Sequence, residues 1–148
     1  MLAVLYLVFN EGYLSSSSNG VRADLCEEAI RLTRQLRAVV GPLGPQPEVE
    51  GQLALMLLQD ARRPARVADG ALVLLPEQDR SLWDATMISE GHAIVRACLA
   101  VNRPGPYQLQ AAINLGRFDV ARAAYDAALA LVDNDAERAL LERLRNRL

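Results

Sequence analysis

The chain has 148 residues, which is enough for one domain with a real hydrophobic core. Its composition, 51% hydrophobic and 23% charged, is that of an ordinary globular protein, and its net charge of −2 argues against a broad footprint for nucleic acid or anionic membrane. The cysteines, Cys26 and Cys98, are far apart without a metal-ligand spacing, so we expect buried free thiols in a reducing cytoplasm.

The first predicted helix covers Leu2 to Tyr13, where apolar residues wrap most of the circumference. This pattern predicts that the helix packs deeply against the rest of the domain. The stretch lacks a basic n-region and is interrupted by Asn10 and Glu11, so we expect neither a signal peptide nor a membrane span. The serine-rich segment 15–20 that follows is typical of a surface loop.

A second helix is predicted from Arg22 to Val40. Five apolar residues recur at i, i+4, i+7, i+11 and i+14 and define one helical face: Leu25, Ala29, Leu32, Leu36 and Val39. Glu27 and Arg31 have the i, i+4 spacing of an outward ion pair. The sequence GPLGPQP at 41–47 cannot continue a helix and predicts a stiff connector.

The centre of the predicted fold is the stretch from Glu48 to Arg66, in which Leu53 to Leu58 run without a polar break. A buried strand is the competing interpretation of so short an apolar run. We prefer a buried helix, because Leu, Met and Ala are good helix formers and no β-branched residue lies in the run. Pro47 suits a first helical turn, and Pro64 is expected to stop the helix. The other amphipathic segments are then expected to cover this helix.

After Pro64 the pattern predicts a small β-hairpin near residues 66–75, with Asp69-Gly70 as its turn. A lone hairpin is marginal in water, so it must pack on helices. Cap signals and apolar faces then predict four further helices: Ser81 to Val101 with Asp84 completing the cap, Tyr107 to Leu115, Asp119 to Leu131, and one from Asn134 to about Arg147. The fold class is all-α: about seven helices in antiparallel pairs, forming a right-handed, tetratricopeptide-like array with one small hairpin.

An amide and a carboxylate, Asn10 and Glu11, lie near the end of the first apolar helix. The functional interpretation is a contact to a partner or a small ligand. The structural interpretation is a polar network that ties this helix to the core, because buried polar groups must find partners. We prefer the structural interpretation, since structural ion pairs commonly perturb charged groups without any catalytic role.

Charged residues also gather at the two helix ends that flank the predicted hairpin: Asp60, Arg62 and Arg63 on one side, and Asp79, Arg80 and Asp84 on the other. Their signs suit the helix macrodipole. We predict that Arg62 or Arg63 pairs with Asp79 or Asp84 and anchors the hairpin, and that Trp83 packs beside the pair. The alternative is a recognition groove in which Trp83 and Arg80 are interface anchors. We place the structural interpretation first.

Motifs of reaction chemistry are not found in the sequence. Ser81 has no nucleophile-elbow context, and His92 has no second histidine or cysteine at ligand spacing. No glycine-rich phosphate loop and no paired carboxylates with a catalytic setting occur. We therefore expect no enzyme activity, no metal and no cofactor. Because the arginines are spread among acids, we also expect no direct nucleic-acid binding by this chain.

The tail carries a repeat-like pattern of small and large residues in the segment LGRFD at 115–119, followed by Ala121, Tyr125, Ala128-Leu129 and Leu131. It resembles the latter part of a tetratricopeptide repeat, in which paired helices interdigitate. The chain is therefore expected to be one helical domain, 1–148, with a family-specific region at 1–103 and a tetratricopeptide-like unit at 104–148. The upstream helices must then serve as the neighbouring layers.

Five segments occur in an order that resembles a known family: VLYLVFNEGY (4–13), RADLCEEAIRLTRQL (22–36), LALMLLQDARRPAR (53–66), LVLLPEQDRSLWD (72–84) and GPYQLQAAI (105–113). They are similar to the C-terminal helical extension of bacterial extracytoplasmic-function RNA polymerase sigma factors. In that family the extension follows two promoter- and polymerase-binding domains and regulates them. Relative to the family, the sequence lacks those sigma domains and is shortened after Ile113, so we expect it not to recognise a promoter.

The resemblance implies a non-catalytic regulatory domain in the cytoplasm that contacts sigma core domains, RNA polymerase or a signalling partner. Two alternatives remain open: a free-standing adaptor that binds a peptide in the concave face of its array, and a small-molecule sensor with a pocket under the hairpin. A large apolar cavity lined by Asn10, Glu11 and Arg63 would favour the sensor. An exposed apolar patch on the first helix would favour docking, and a homodimer through that helix is a further possibility.

Overall fold

The computed structural model describes residues 1–14, 22–103, 105–115, 125–126, 129–130 and 134–146. Within these residues the chain forms helices α1 (Leu2–Leu14), α2 (Ala23–Val40), α3 (Pro47–Asp60), α4 (Ala85–Val101), α5 (Pro106–Asn114) and α6 (Asp135–Arg145). A two-stranded antiparallel sheet, β1 (Val67–Ala68) and β2 (Ala71–Leu72), lies between α3 and α4. The predicted fold class, all-α with one small hairpin, is confirmed.

Helix α3 is the core of the domain, as the sequence predicts. Each residue from Leu53 to Leu58 is 0% exposed, so this helix is covered on every side. Pro47 occupies the first helical turn. The helix ends at Asp60, somewhat before Pro64, and a single 3₁₀ turn, Arg63–Ala65, takes up the proline.

The helices on either side of α3 in the chain run antiparallel to it. Near the end of α2, the Nε of Arg37 lies 2.7 Å from Oε1 of Glu50 in the first half of α3. At the start of α4, the backbone N–H of Asp84 donates to the carbonyl of Ala61, just beyond α3, at 2.9 Å. Consecutive helices thus reverse direction, which is the predicted antiparallel pairing.

Helices α1 and α5 run parallel to α3. At one end of α1, the amide of Gln52 donates to the carbonyl of Leu2. At one end of α5, Nε2 of Gln108 donates to Glu48 at 3.1 Å, and Arg62 at the other end donates to Asn114. The four neighbours α1, α2, α4 and α5 therefore enclose α3.

Two glycines allow the helices to approach α3 closely. A Cβ on Gly51 would lie 2.7 Å from the backbone nitrogen of Gln108, so α3 and α5 touch at this point through their main chains. A Cβ on Gly91 of α4 would lie 2.8 Å from Cγ of Leu58. Neither site has room for a side chain without a displacement of the neighbour.

The buried face of α2 differs from the predicted one. Its buried residues are Cys26, Ala29, Ile30 and Thr33, whereas Val39 is 73% exposed. The hydroxyl of Thr33 donates to the carbonyl of Ala29 at 2.8 Å, which satisfies it inside the helix and allows its burial. The predicted ion pair of Glu27 with Arg31 is also wrong, because Arg31 pairs with Glu28 and Glu27 faces Arg63.

Helix α1 is less buried than its apolar sequence predicts. Only Phe9 and Gly12 are buried, while Val4, Leu7 and Leu14 are 61%, 66% and 66% exposed. The reason is geometric: α1 lies against α2 and α3 from one side, so its outer side meets no other described element. The expectation of deep packing is therefore wrong.

The hairpin is confirmed, with Val67 opposite Leu72 and Ala68 opposite Ala71. Asp69 and Gly70 have φ values of 51° and 77°, which is the pair of left-handed residues that a tight two-residue turn requires.

The start of α4 differs from the prediction, because the helix begins at Ala85 and not at Ser81. Asp84 caps it by accepting from the backbone N–H of Met87 at 2.9 Å. Asp79 caps the preceding 3₁₀ turn, Arg80–Leu82, by accepting from the backbone N–H of Ser81 at 2.9 Å. Ser81 and Asp84 therefore belong to two successive caps.

In the tail, α5 and α6 agree with the predicted fifth and last helices, and Asn134 accepts from the backbone N–H of Ala136 at 2.9 Å. The predicted helix from Asp119 to Leu131 and the tetratricopeptide-like pattern lie mostly outside the described residues. The serine-rich segment 15–20 lies wholly outside them.

Candidate functional site

The inner side of α1 is an aromatic ladder. The ring centroids of Tyr6 and Phe9 are 6.2 Å apart, and those of Phe9 and Tyr13 are 5.7 Å apart, with the rings stacked in both pairs. Tyr6 also meets Tyr107 of α5 edge to face at 5.5 Å. The contact with Tyr107 joins α1 to α5, and Phe9 is buried in the core, so this side of α1 faces the domain and the opposite side faces outward.

The outer side of α1 is an apolar strip that we call the α1 stripe: Ala3, Val4, Leu7, Glu11 and Leu14. Their spacing of three and four residues places them along one side of the helix. Glu11 is the single charged member, and it pairs with Arg22 at the start of α2. Asn10, the next residue along α1, is half-buried. Of the two polar residues predicted together, Glu11 thus joins α1 to the start of α2, and Asn10 is not part of that contact.

A polar cluster lies at the end of α3, around Asp60. Asp60 is 3% exposed, and its one ion pair among the described residues is with Arg63, whose Nε lies 3.4 Å from Oδ1. Neither carboxylate oxygen accepts a hydrogen bond within the described part of the chain. Burial raises the pKa of Asp60 above its ordinary range; Arg63 opposes that shift, while Glu27 and Asp84 add to it.

Arg62 joins the cluster to α5 and to the segment before α4. It is 8% exposed, and its guanidinium donates to the side-chain oxygen of Asn114 at 3.3 Å and to the carbonyl of the same residue. Its guanidinium carbon lies 5.1 Å from the ring centroid of Trp83. Burial lowers the pKa of Arg62 from its usual high value. These contacts make Arg62 a structural cross-link between three parts of the domain.

The predicted pairing of Arg62 or Arg63 with Asp79 or Asp84 does not form. Both aspartates accept from backbone N–H groups two or three residues ahead, which are nearer than any side chain from α3. Trp83 therefore has no such pair beside it, and it packs against arginines alone. The guanidinium carbons of Arg62 and Arg80 lie 5.1 Å and 5.4 Å from its ring centroid.

The hairpin is anchored by Arg66, a residue that the sequence analysis did not single out. Its guanidinium carbon lies 3.8 Å from the ring centroid of Tyr13, and it donates to the carbonyl of the same tyrosine at the end of α1. An arginine just before a predicted strand was a weak signal. Its partner lies far away in the sequence, so the spacing of residues could not identify it.

The described residues offer little nucleophilic or metal-binding chemistry. Burial raises the pKa of both thiols, Cys26 and Cys98, to about 11, so they remain protonated at neutral pH. Among the residues that the structure describes, no group of three or more His, Cys, Asp and Glu side chains could hold a metal ion. No helix in this part of the chain is both long and apolar enough to cross a bilayer.

The residues that the structure describes line several clefts, of which two concern the candidate site. One, of about 550 Å³, is bounded by the ends of α2 and α4 and the start of α3, and contains Arg37, Glu50 and Cys98. The other, of about 420 Å³, lies beside Trp83 and α4. Among the described residues that line these two clefts there is none of Asn10, Glu11 and Arg63, whose presence in a cavity would have favoured the sensor hypothesis.

These features define a helical domain with a central buried helix and an apolar outer strip. The model of the family of unknown function DUF6596 matches residues 1–99, and the chain belongs to that family. An uncharacterized protein of Rhizobium meliloti (strain 1021) is 51% identical over 112 residues, which cover 74% of this chain and 26% of the relative. The chain thus spans about a quarter of that relative's length. No solved structure matches the chain significantly.

Proposed function

We propose that the chain is a non-catalytic regulatory domain of an extracytoplasmic-function sigma factor, and that it acts in the cytoplasm by docking onto the sigma core domains. The five ordered segments between residues 4 and 113 support the link to such sigma factors. The α1 stripe supplies the docking surface.

The observation that carries the docking proposal is the exposure of Val4, Leu7 and Leu14 on a helix whose other side is held by the buried Phe9 and by the contact of Tyr6 with Tyr107. Monomeric proteins seldom leave contiguous apolar strips in water. Residues spaced by three and four positions on one helix side are the anchors by which helices enter an apolar groove of a partner. The partner we propose is a sigma core domain that carries such a groove.

The size of the Rhizobium meliloti relative supports the same proposal. The matched region makes up 26% of that protein, so most of its chain lies outside this region and is available to cover the stripe. In a covalently linked protein even a modest contact is effective, because the tether gives a high local concentration. A signal then changes transcription by shifting the balance between the docked and the released state of the core domains.

The test is a pull-down with the core domains of an extracytoplasmic-function sigma factor, and with the part of the Rhizobium meliloti relative outside the matched region, each supplied as a separate chain. The parent protein is expected to retain them. A Leu7→Glu variant is expected to lose them, because a charge enters the centre of the apolar strip. Leu72→Glu is the matched control, since Leu72 on the hairpin is also 66% exposed.

Three outcomes oppose the proposal. Equal retention by the Leu7 and Leu72 variants would show that the α1 stripe is not the contact surface. Sedimentation of the parent as a dimer that Leu7→Glu dissociates, without capture of the core domains, would assign the stripe to a homodimer. Capture of a free peptide, without capture of the core domains and without a dimer, would favour the adaptor hypothesis. Circular dichroism of both variants checks that the helices persist.

A further inference from the structure

The cleft beside Trp83 has a chemical character that the docking proposal does not use. Its polar wall consists of Arg80, Trp83, Ser89, His92 and Arg96, and Ile88 contributes apolar surface. Ser89, His92 and Arg96 follow one another at spacings of three and four residues, so they share one side of α4. This side of α4 and the segment before it form a surface separate from the α1 stripe. We refer to it as the Trp83 cleft.

The charge of the Trp83 cleft is unbalanced. Among its lining residues that the structure describes, two carry guanidinium groups and none carries a carboxylate. Within the described part of the chain neither Arg80 nor Arg96 forms an ion pair. The nearby acids are engaged elsewhere: those at 79 and 84 accept from backbone N–H groups, and Glu90 pairs with Arg34 at 2.6 Å.

A third guanidinium adds to this excess of positive charge. Arg62 lies on the Trp83 ring together with Arg80. The two are close enough that the charge of Arg80 contributes to lowering the pKa of Arg62, although burial is the larger cause. In a chain of net charge −2, such a local concentration of cations attracts an anion.

The hydrogen-bonding groups of the cleft are also unbalanced, in favour of donors. A guanidinium group offers five N–H donors and no acceptor, and Ser89 adds a hydroxyl. A ligand that fits these groups carries several acceptor oxygens and negative charge.

We propose that the Trp83 cleft binds a phosphate group carried by a small ligand. A phosphate dianion brings enough charge for two guanidinium groups and at least three acceptor oxygens, whereas a carboxylate brings half the charge and two oxygens. Arginine is suited to this role because its planar fork binds phosphate through paired hydrogen bonds. The volume of about 420 Å³ lies within the range of small-molecule sites.

The chain provides its own reporter for this site, because Trp83 is its single tryptophan. The experiment titrates the folded protein with inorganic phosphate and with pyrophosphate at constant ionic strength and follows tryptophan fluorescence. A saturable change at millimolar concentration or below is the expected result. Sodium chloride at the same ionic strength is expected to give no saturable change, because screening alone does not fill the cleft.

Arg96→Gln is the decisive variant. Arg96 is exposed and has no partner among the described residues, so its replacement leaves the fold intact while removing one guanidinium from the cleft. We expect the affinity for pyrophosphate to fall about tenfold or more, as is typical for the loss of a hydrogen bond to a charged group. The control is Arg103→Gln, at an exposed arginine beyond the end of α4 that does not line the cleft, and it should bind as the parent does.

The source of the phosphate group is resolved by adding a phosphoserine peptide and its unphosphorylated form. Tighter binding of the phosphopeptide than of pyrophosphate assigns the group to a phosphorylated protein and overturns the small-ligand proposal. Tighter binding of pyrophosphate supports it. A flat fluorescence response to both phosphates, or an Arg96→Gln variant that binds them as the parent does, also overturns it.

Discussion

The contact between α3 and α5 gives the sharpest stability prediction, through the replacement of Gly51 by alanine. The added Cβ would lie 2.7 Å from the backbone nitrogen of Gln108, which is about 0.7 Å short of the 3.4 Å at which ordinary contact begins. Because the obstacle is main chain, no rotamer change relieves it, and the two helices must move apart. Separation would loosen the packing of the buried leucines beside them.

The expected magnitude follows from two opposing effects. Overpacking of a well-filled core costs about 1–3 kcal/mol, and a main-chain obstacle belongs at the upper end of that range. Alanine inside a helix gains about 1 kcal/mol over glycine. The net loss is therefore about 1–2 kcal/mol, which corresponds to a fall in Tm of about 2–8 °C.

The control is the same chemical change at Gly41, in the connector after α2. Nothing lies within 4 Å of a Cβ built there, and the backbone, with φ −51° and ψ −43°, suits any residue. Gly41→Ala should stabilise by about 0.4–1 kcal/mol, because it reduces the freedom of the unfolded chain. Thermal and urea melts followed by circular dichroism measure both variants. If Gly51→Ala melts at or above the parent temperature, the close approach of α3 and α5 is refuted.

Three further predictions concern buried groups. Asp60→Asn should stabilise at pH 7 by about 1–3 kcal/mol, because a buried carboxylate without hydrogen bonds is removed. The pKa of Asp60 in the folded protein lies above the ordinary 3.8, so the free energy of unfolding of the parent falls as the pH rises from 3.8. Below pH 3.8 the carboxyl is protonated in both states, and the advantage of the variant in urea melts should vanish there. Leu55→Ala, at a side chain with 0% exposure, should lower the free energy of unfolding by about 3–5 kcal/mol in the same melts. Its control is Arg34→Ala, at a half-exposed ion pair, which should lower it by less than about 1 kcal/mol. Iodoacetamide should leave Cys26 unlabelled at pH 8 until urea unfolds the chain, as judged by mass spectrometry, and fast labelling of the native protein would contradict its burial.

The central helix could be predicted because its apolar run needs no partner to identify it. Every residue from Leu53 to Leu58 is buried in the structure, so its burial could be predicted without knowing which face of the helix meets which neighbour. The hairpin could be predicted for a similar reason, since Asp69-Gly70 specifies its turn locally.

Helix α1 shows where this reasoning stops. Its apolar residues surround the helix, and the pattern contains no information on which side meets the domain. The structure answers that question, because Phe9 is buried in the core and Tyr6 contacts Tyr107 of α5. The face of α2 was misplaced for a different reason, because Cys26 and Thr33 were not counted as core residues, although a thiol and an internally bonded hydroxyl are readily buried.

The candidate polar cluster was predicted in its members but not in its pairs. Asp79 and Asp84 were expected to meet arginines, yet nearby backbone amides are closer competitors for their carboxylates. Arg66 and Tyr13 form a contact over a large sequence separation, which one sequence cannot reveal. Local competition and distant partners are the two sources of error in this site.

The attachment of α5 at both of its ends has a consequence for the chain that follows it. Glu48 fixes the beginning of α5 and Arg62 fixes its end at Asn114, so α5 keeps a set position and direction on α3 through its own contacts. Segments of different length can follow that point without disturbing the leucines of α3. Evolution can therefore lengthen or shorten the downstream part while the upstream part keeps its stability.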